Sequence, residues 1–190
     1  DYLRQQGIDP EYVHLGNSAG IFSLHDNRLS VFRPGLALYG YNPFTDKNPH
    51  YLAAQKLKPA LRVLSQIVAL QNLVPGDFVS YNQDYQAQVK TTIGVIPFGY
   101  FEGLDRRLAN TAEFRCLSSS PFYARIAGRV CMNLTALDLG QNQIRIGDRV
   151  EIISPSSHDL NSVANLALLS HTIPYEVLVR IQANIHREIT

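Results

Sequence analysis

Short apolar runs punctuated by Gly, Asn and Pro open the chain. The clearest are Tyr12-Val13-His14-Leu15 and Leu36-Ala37-Leu38-Tyr39, which predict buried strands ending in loops, as in an α/β fold. The pattern changes across the polar stretch from Asn42 to His50, which holds two prolines and predicts a loop between two regions, residues 1–56 and 57–190. Beyond it come many short β-branched or aromatic runs: Leu61 to Leu73, Phe78 to Tyr81, Thr92 to Ile96, Phe122 to Ile126, Leu134 to Leu139 and Arg149 to Ile153. Runs of this kind with frequent turns predict an antiparallel, mostly β domain. Pro75-Gly76-Asp77 and Ile146-Gly147-Asp148 each precede a run and predict turns. Two late segments have helical spacing instead. One carries Val163, Leu166, Ala167 and Leu169, with Asp159 and Asn161 as candidate caps; the other starts at Pro174 and sets Val177, Leu178, Ile181 and Ile185 on one stripe.

Composition narrows the function classes. The 190 residues are 45% apolar and 17% charged, with a formal net charge of +1. That is an ordinary globular chain, with no apolar run long enough for a membrane-spanning helix. The Lys and Arg residues are scattered, so nothing supports the counterion-displacing patch that nucleic-acid binding requires. Cys116 and Cys131 fall short of a disulfide framework or a zinc site, and suggest reduced thiols in a cytoplasm. The six His are isolated, which argues against a metal centre. The start at Asp1, without a Met or a leader, suggests a processed chain or the latter part of a longer one.

Some local chemistry stands out. His14-Leu15-Gly16-Asn17-Ser18-Ala19-Gly20 has the composition of a loop that cradles an anion; a plain Asx turn, with Asn17 serving its own backbone, fits the same residues. Arg33-Pro34-Gly35-Leu36 offers a fixed cation followed by a Gly that lets a ligand approach the backbone, or else a type II turn with a solvated Arg. Tyr81 follows a strand-like run, and a phenol serves as a base only where positive charge favours the phenolate. Glu102 and Asp105 read as part of a solvated charged loop, not as a catalytic carboxylate pair.

In this order the pieces resemble alanine racemase, a family of enzymes dependent on pyridoxal 5′-phosphate. The matching elements are His14-x-x-Asn17-Ser18, Arg33 to Gly40, Val79-Ser80-Tyr81, Gly94 to Tyr100, Gly128-Arg129-Val130-Cys131-Met132 and Pro174-Tyr175-Glu176. The resemblance implies an α/β plus all-β fold: residues 1–56 would be the last strands of a (β/α)8 barrel, and 57–190 a C-terminal antiparallel β domain with two short helices. It implies that Ser18, the N–H groups of Gly35 and Leu36, and the Tyr175 hydroxyl hold the cofactor phosphate, with Asn17 in the same loop. Arg33 would bond the pyridine nitrogen, supported by His14. Tyr81 would be one of two bases on opposite faces of the substrate, delivered across a homodimer interface. The Met132 N–H would bind the substrate carboxylate, and Tyr100 and Arg106 would line the entrance, unless Met132 is core packing and Arg106 a surface charge. The implied role is interconversion of L- and D-alanine for cell-wall synthesis in the cytoplasm.

The chain also departs from the family. Its Schiff-base lysine has no counterpart among Lys47, Lys56, Lys58 and Lys90, so the chain reads as a fragment expected to be inactive alone. Asn82 stands where the family usually has Gly, Phe101-Glu102 where Ala-Asp is commoner, and Asn133 where Asp is usual. Three alternatives therefore stay open: a racemase for serine or another amino acid, a cofactor-binding protein without turnover, and a non-catalytic β-rich interaction module.

Overall fold

The computed structural model describes residues 2–26 and 28–189. The chain divides into two compact units, Asp1–Ala60 and Leu61–Thr190.

The first unit is mostly loops and short helical turns. It holds α1 (Tyr2–Gln5), α2 (Ser18–Ser23) and 3-10 turns at Leu36–Tyr39 and Leu52–Ala54. The run at Tyr12 to Leu15 is not a buried strand: Tyr12 and Leu15 are exposed, and the segment makes one parallel bridge, His14 to Val31. The run at Leu36 to Tyr39 is a 3-10 turn closed by Gly40. A barrel strand is held by ladders on both sides, and the parallel pairing seen among the described residues of this unit is that single bridge. The stretch from Asn42 to His50 is a loop of side-chain-braced turns. Asn42 accepts from the Phe44 N–H at 3.0 Å and donates to the Tyr51 carbonyl at 3.0 Å, and Asn48 accepts from the His50 N–H at 2.9 Å.

The second unit contains β1 (Val63–Gln66), β2 (Ala69–Leu73), β3 (Phe78–Val79), β4 (Tyr85–Gln86), β5 (Thr91–Ile96), β6 (Glu113–Leu117), β7 (Phe122–Ile126), β8 (Thr135–Asp138) and β9 (Arg149–Ile153). Seven of these form one antiparallel sheet in the order β1-β9-β6-β7-β8-β5-β2, and β3 and β4 pair separately. The alternation in β6 buries Phe114 and Cys116, and Ile93, Ile96, Ile126, Leu137, Val150 and Ile152 join them in the core.

The connection between β1 and β2 dictates the shape of this sheet. The two strands stand at opposite ends of the order, yet only Ile67 and Val68 separate them. Laid flat, the outermost of seven strands would lie about 29 Å apart, whereas three residue steps reach at most about 11 Å. The sheet must therefore curl until its edges meet. The hydrogen bonds agree: Ile67 N–H reaches the Asp148 carbonyl beside β9 at 2.9 Å, and Val68 N–H reaches the Val95 carbonyl of β5 at 2.8 Å. The apolar run from Leu61 to Leu73 is thus two strands joined by a stitch.

Both predicted turns form the same way. Asp77 Oδ2 accepts from the Val74 N–H at 2.9 Å, and Asp148 Oδ2 accepts from the Arg145 N–H at 2.8 Å. The late helices are α3 (Val163–Leu169) and α4 (Pro174–Arg180), packed on one another. The α3 cap is Ser162, not Asp159 or Asn161. Asp159 instead accepts from the Ser154 hydroxyl at 2.6 Å, and buried Asn161 donates to the Glu151 carbonyl at 2.8 Å. Helix α4 ends at Arg180, so Ile181 and Ile185 lie beyond it.

Asp105 anchors α4, which corrects the reading of its loop as solvated. The carboxylate is buried and receives Arg107 Nη2 at 2.6 Å, the Arg107 N–H at 2.9 Å, and Arg180 Nη1 from α4. Burial favours its neutral form, but the Arg107 hydrogen bonds and the Arg180 and Arg107 charges outweigh this and hold it below the usual carboxylate range. A depressed native value contributes stability that is complete above the unfolded pKa, near about 4, and is lost as pH falls through the native one. Below about pH 4 the amides of residues 174–180 should therefore lose exchange protection before those of β9; simultaneous loss would count against this anchor.

Candidate functional site

The first unit holds six of the residues singled out in the sequence: His14, Asn17, Ser18, Arg33, Gly35 and Leu36. Arg33 Nη1 donates to His14 Nδ1, which fixes that nitrogen as an acceptor and leaves the ring proton on Nε2. Arg33 Nη2 also reaches the Leu15 carbonyl at 3.5 Å, and the Arg33 N–H bonds the Gly16 carbonyl at 2.8 Å. The guanidinium is thus aimed by its neighbours, not merely solvated. Ser18 is buried at the start of α2, and its Oγ accepts from the N–H groups of Gly35 at 2.9 Å and Ala37 at 3.1 Å. The Leu36 N–H between them has no partner among the described residues. A Cβ placed on Gly35 would meet no atom within 4 Å, so the space over this backbone is open to a ligand.

Asn17 behaves as the plainer of its two readings. Its Oδ1 caps α2, accepting from Ala19 N–H at 3.0 Å and Gly20 N–H at 3.1 Å, which commits that oxygen to the backbone. The donor set left for an anion is the Ser18 hydroxyl, the Leu36 N–H and a fixed guanidinium. That chemistry fits a phosphate ester on a basic heteroaromatic ring. All four lysines of the chain are exposed.

In the second unit three loops converge. Tyr81 follows β3 on a short turn, with 73% of its surface exposed. Its neighbours carry unusual backbone: Ser80, Asn82 and Gln83 have φ of 74°, 61° and 58°. Asn visits this region more readily than most residues, so Asn82 supplies what a Gly would. Ser80 and Gln83 do so at a cost of order ~1–3 kcal/mol each, a strain that persists only where surroundings enforce it. The hairpin carrying Tyr81 is tied to the main sheet by Tyr85, whose hydroxyl donates to Asp138 at 2.7 Å. Burial and the Asp138 carboxylate push the Tyr85 phenol up to about 12, so it remains a donor throughout the working range.

The loops at residues 99–106 and 128–133 are zipped together. Tyr100 N–H bonds the Cys131 carbonyl at 3.0 Å and Phe101 N–H bonds the Met132 carbonyl at 2.9 Å. Met132 is exposed, not core, and its own N–H has no partner among the described residues. The Arg106 guanidinium lies over the Tyr100 ring, 5.7 Å from its centroid, a cation–π pairing that sets both side chains. Glu102 accepts from Gly99 N–H at 2.7 Å and from Asn133 Nδ2 at 2.9 Å. The Asn at 133 therefore has a partner that an Asp would repel. Tyr175 lies in the first turn of α4, partly exposed.

The thiols separate clearly. Burial, with a contribution from Asp148, pushes Cys116 up to about 12, while Cys131 is half-buried beside the Arg129 carbonyl at 3.8 Å. A thiol-specific reagent at about pH 8 should modify Cys131 in the folded chain and reach Cys116 only on unfolding. Equal labelling rates read by mass spectrometry would contradict this burial.

Sequence reasoning did not single out Asp84, Asn110 or the Arg129 side chain. Arg129 pairs with Asp84, and Asn110 bonds Gly128 N–H at 2.6 Å and the Asp84 carbonyl at 3.3 Å. Arg129 was visible only as a member of a matching motif; Asp84 and Asn110 carried no signal.

The family model "Alanine racemase, C-terminal domain" matches residues 60–189, and "Alanine racemase, N-terminal domain" matches residues 1–43. A curated alanine racemase from Borreliella burgdorferi is 33% identical over 182 residues, covering 94% of this chain and 46% of that protein. The chain thus spans about half the length of the curated relatives it matches. The alanine racemase structure from Bacillus anthracis, with bound L-Ala-P, superposes with a TM-score of 0.80 at 29% identity, covering 95% of this chain and 45% of that one. That from Bartonella henselae, with covalently bound pyridoxal phosphate, gives 0.72 at 26% identity, covering 95% and 47%. The likeness carries the fold class expected from the sequence, barrel end followed by β domain.

Proposed function

Because the chain belongs to the alanine racemase family, we propose that it forms the cofactor-phosphate and tyrosine-base portion of a pyridoxal 5′-phosphate-dependent racemase interconverting L- and D-alanine. The Arg33–His14 pairing beside the Ser18 loop carries this reading. It places a permanent cation, aimed by a neutral imidazole, next to a cluster of hydroxyl and N–H donors. In the first unit Ser18 and the Leu36 N–H hold the phosphate over the open Gly35 backbone, with Asn17 shaping the loop by capping α2. Arg33 holds the pyridine nitrogen.

When bound, the cofactor supplies an electron-withdrawing ring that acidifies the α-C–H of the attached amino acid. Arg33 donates a hydrogen bond to the ring nitrogen without surrendering its proton, because a guanidinium stays charged. Electron withdrawal is thereby limited, which favours return of a proton to the same carbon over side reactions. Tyr81 takes or returns the α-proton on one face. Inversion requires a second base on the other face, and the family's Schiff-base lysine has no counterpart among the four lysines of this chain. The Met132 N–H orients the substrate carboxylate, and Tyr100 with Arg106 restricts entry. The exposure of Tyr81 and Met132 on their own chain supports a homodimer in which each subunit completes its partner's site. Two free thiols fit a cytoplasmic setting, where D-alanine would feed cell-wall synthesis.

The test is racemisation of L-alanine, with L-serine as competitor, by the cofactor-loaded protein that contains this chain. Arg33→Lys should keep cofactor binding but lower turnover by about 10–100-fold, since an ammonium cannot reproduce the planar two-sided contact. Cofactor absorbance with no turnover of any amino acid by the unmutated protein would favour a binding protein, and inertness to both would favour an interaction module.

A further inference from the structure

Tyr81 has almost no packing of its own, yet its backbone is held in a conformation that needs outside support. Both flanks of the turn are gripped by one residue. On the N-terminal side, Ser80 Oγ accepts from the Arg129 N–H at 2.9 Å and donates to the Arg129 carbonyl at 3.4 Å. On the C-terminal side, the Arg129 guanidinium makes a side-on pair with Asp84, Nε to Oδ2 and Nη2 to Oδ1 at 3.4 Å. Asn110 closes the ring: its Oδ1 accepts from Gly128 N–H at 2.6 Å and its Nδ2 donates to the Asp84 carbonyl at 3.3 Å. Gly128, at φ 79°, lets the two segments meet, since a Cβ there would lie 2.5 Å from the Ser80 Cβ. Every bond in the ring ends on residue 80 or 84, or on the 128–129 segment that they hold. The phenol at 81 is left in the open between them.

We infer that Asp84 and Arg129 are positioning residues for the racemase reaction: their ion pair, with Ser80 and Asn110, clamps the strained turn so that the Tyr81 hydroxyl is presented in one direction. This deepens the reading of Tyr81 as a base and rests on it. The Tyr81 hydroxyl makes no hydrogen bond among the described residues and the ring is 73% exposed, so its aim comes from the backbone, and the backbone is fixed by the clamp. A misplacement of about 1 Å at a proton-transferring atom can cost as much as 10²-fold in rate. The Arg129 N–H contact survives side-chain replacement, so substitutions at 84 or 129 open only one flank.

The experiment has two arms. In the cofactor-loaded enzyme containing this chain, Asp84→Ala should lower kcat by about tenfold with little change in KM. Asp84→Glu should recover part of that loss. In a Tyr81→Phe background, Asp84→Ala should have no further effect, because there is no hydroxyl left to aim. In the second arm, on the same enzyme, amide exchange at residues 80–84 should speed up in Asp84→Ala while β5 to β9 keep their protection. Equal losses from Asp84→Ala in both backgrounds would overturn the clamp, as would unchanged turnover or unchanged exchange. Unchanged turnover in Tyr81→Phe alone would overturn the catalytic reading instead, and with it the purpose of the clamp, whatever the exchange shows.

Discussion

Replacing Tyr81 by Phe in the cofactor-loaded enzyme should lower kcat/KM for racemisation by about 10²–10⁴-fold, the range for losing a positioned general base. Phe keeps the ring and removes only the hydroxyl, and a side chain 73% exposed contributes little to folding, so the thermal midpoint should not move. Mirror-image substrates are equal in free energy, which forces kcat/KM to fall by the same factor in both directions. The asymmetry appears elsewhere. With one base per face, exchange of the α-hydrogen with solvent should collapse for the L-isomer and persist for the D-isomer. Retention of both exchange rates, or a loss of less than about threefold in kcat/KM, would remove Tyr81 from the chemistry.

Gly99→Ala should damage the side of the site where we propose that Met132 binds substrate, through sterics alone. A Cβ at 99 would lie 2.3 Å from the Cys131 carbonyl oxygen and 2.4 Å from that of Met132, and both obstacles are backbone. Something must shift, breaking the hydrogen bonds from Tyr100 and Phe101 to those carbonyls and withdrawing the Glu102 contact to Gly99. Overpacking of this kind costs about 1–3 kcal/mol. The thermal midpoint should drop by several degrees, about 2–8 °C for domains of this size range. KM for alanine should rise with it because Met132 moves. A midpoint and KM both equal to those of the unmutated protein would show that the two loops are not coupled as described.

The β domain was legible because its strands announce themselves by composition. The runs at Phe122 to Ile126 and Arg149 to Ile153 are β7 and β9 without adjustment. β6 was missed because Glu113 and Arg115 interrupt its apolar residues, although its strict alternation was there to be read. The first unit resisted for a different reason. Short apolar runs look alike whether they become strands or 3-10 turns, and only pairing partners decide between them. At the site, the motif residues were visible in the sequence, but the scaffold behind them was not. Arg129, Asp84 and Asn110 lie up to 45 residues apart, and nothing in local sequence predicts that they meet. The departures at Glu102 and Asn133 looked like separate losses in the sequence and proved to be partners in one hydrogen bond.

The two-residue stitch at Ile67 and Val68 has a consequence for biogenesis. β1 leaves the ribosome among the first elements of its domain, but its ladder partner β9 is complete only at Ile153. β2 can zip onto β5 earlier, so the nascent chain passes through an interval in which one margin of the sheet is paired and the other is bare. Unprotected margins of this kind attract foreign strands. Translational pausing before Ile153 has emerged from the ribosome should therefore leave the polypeptide dependent on chaperones, and a pause after its emergence should not.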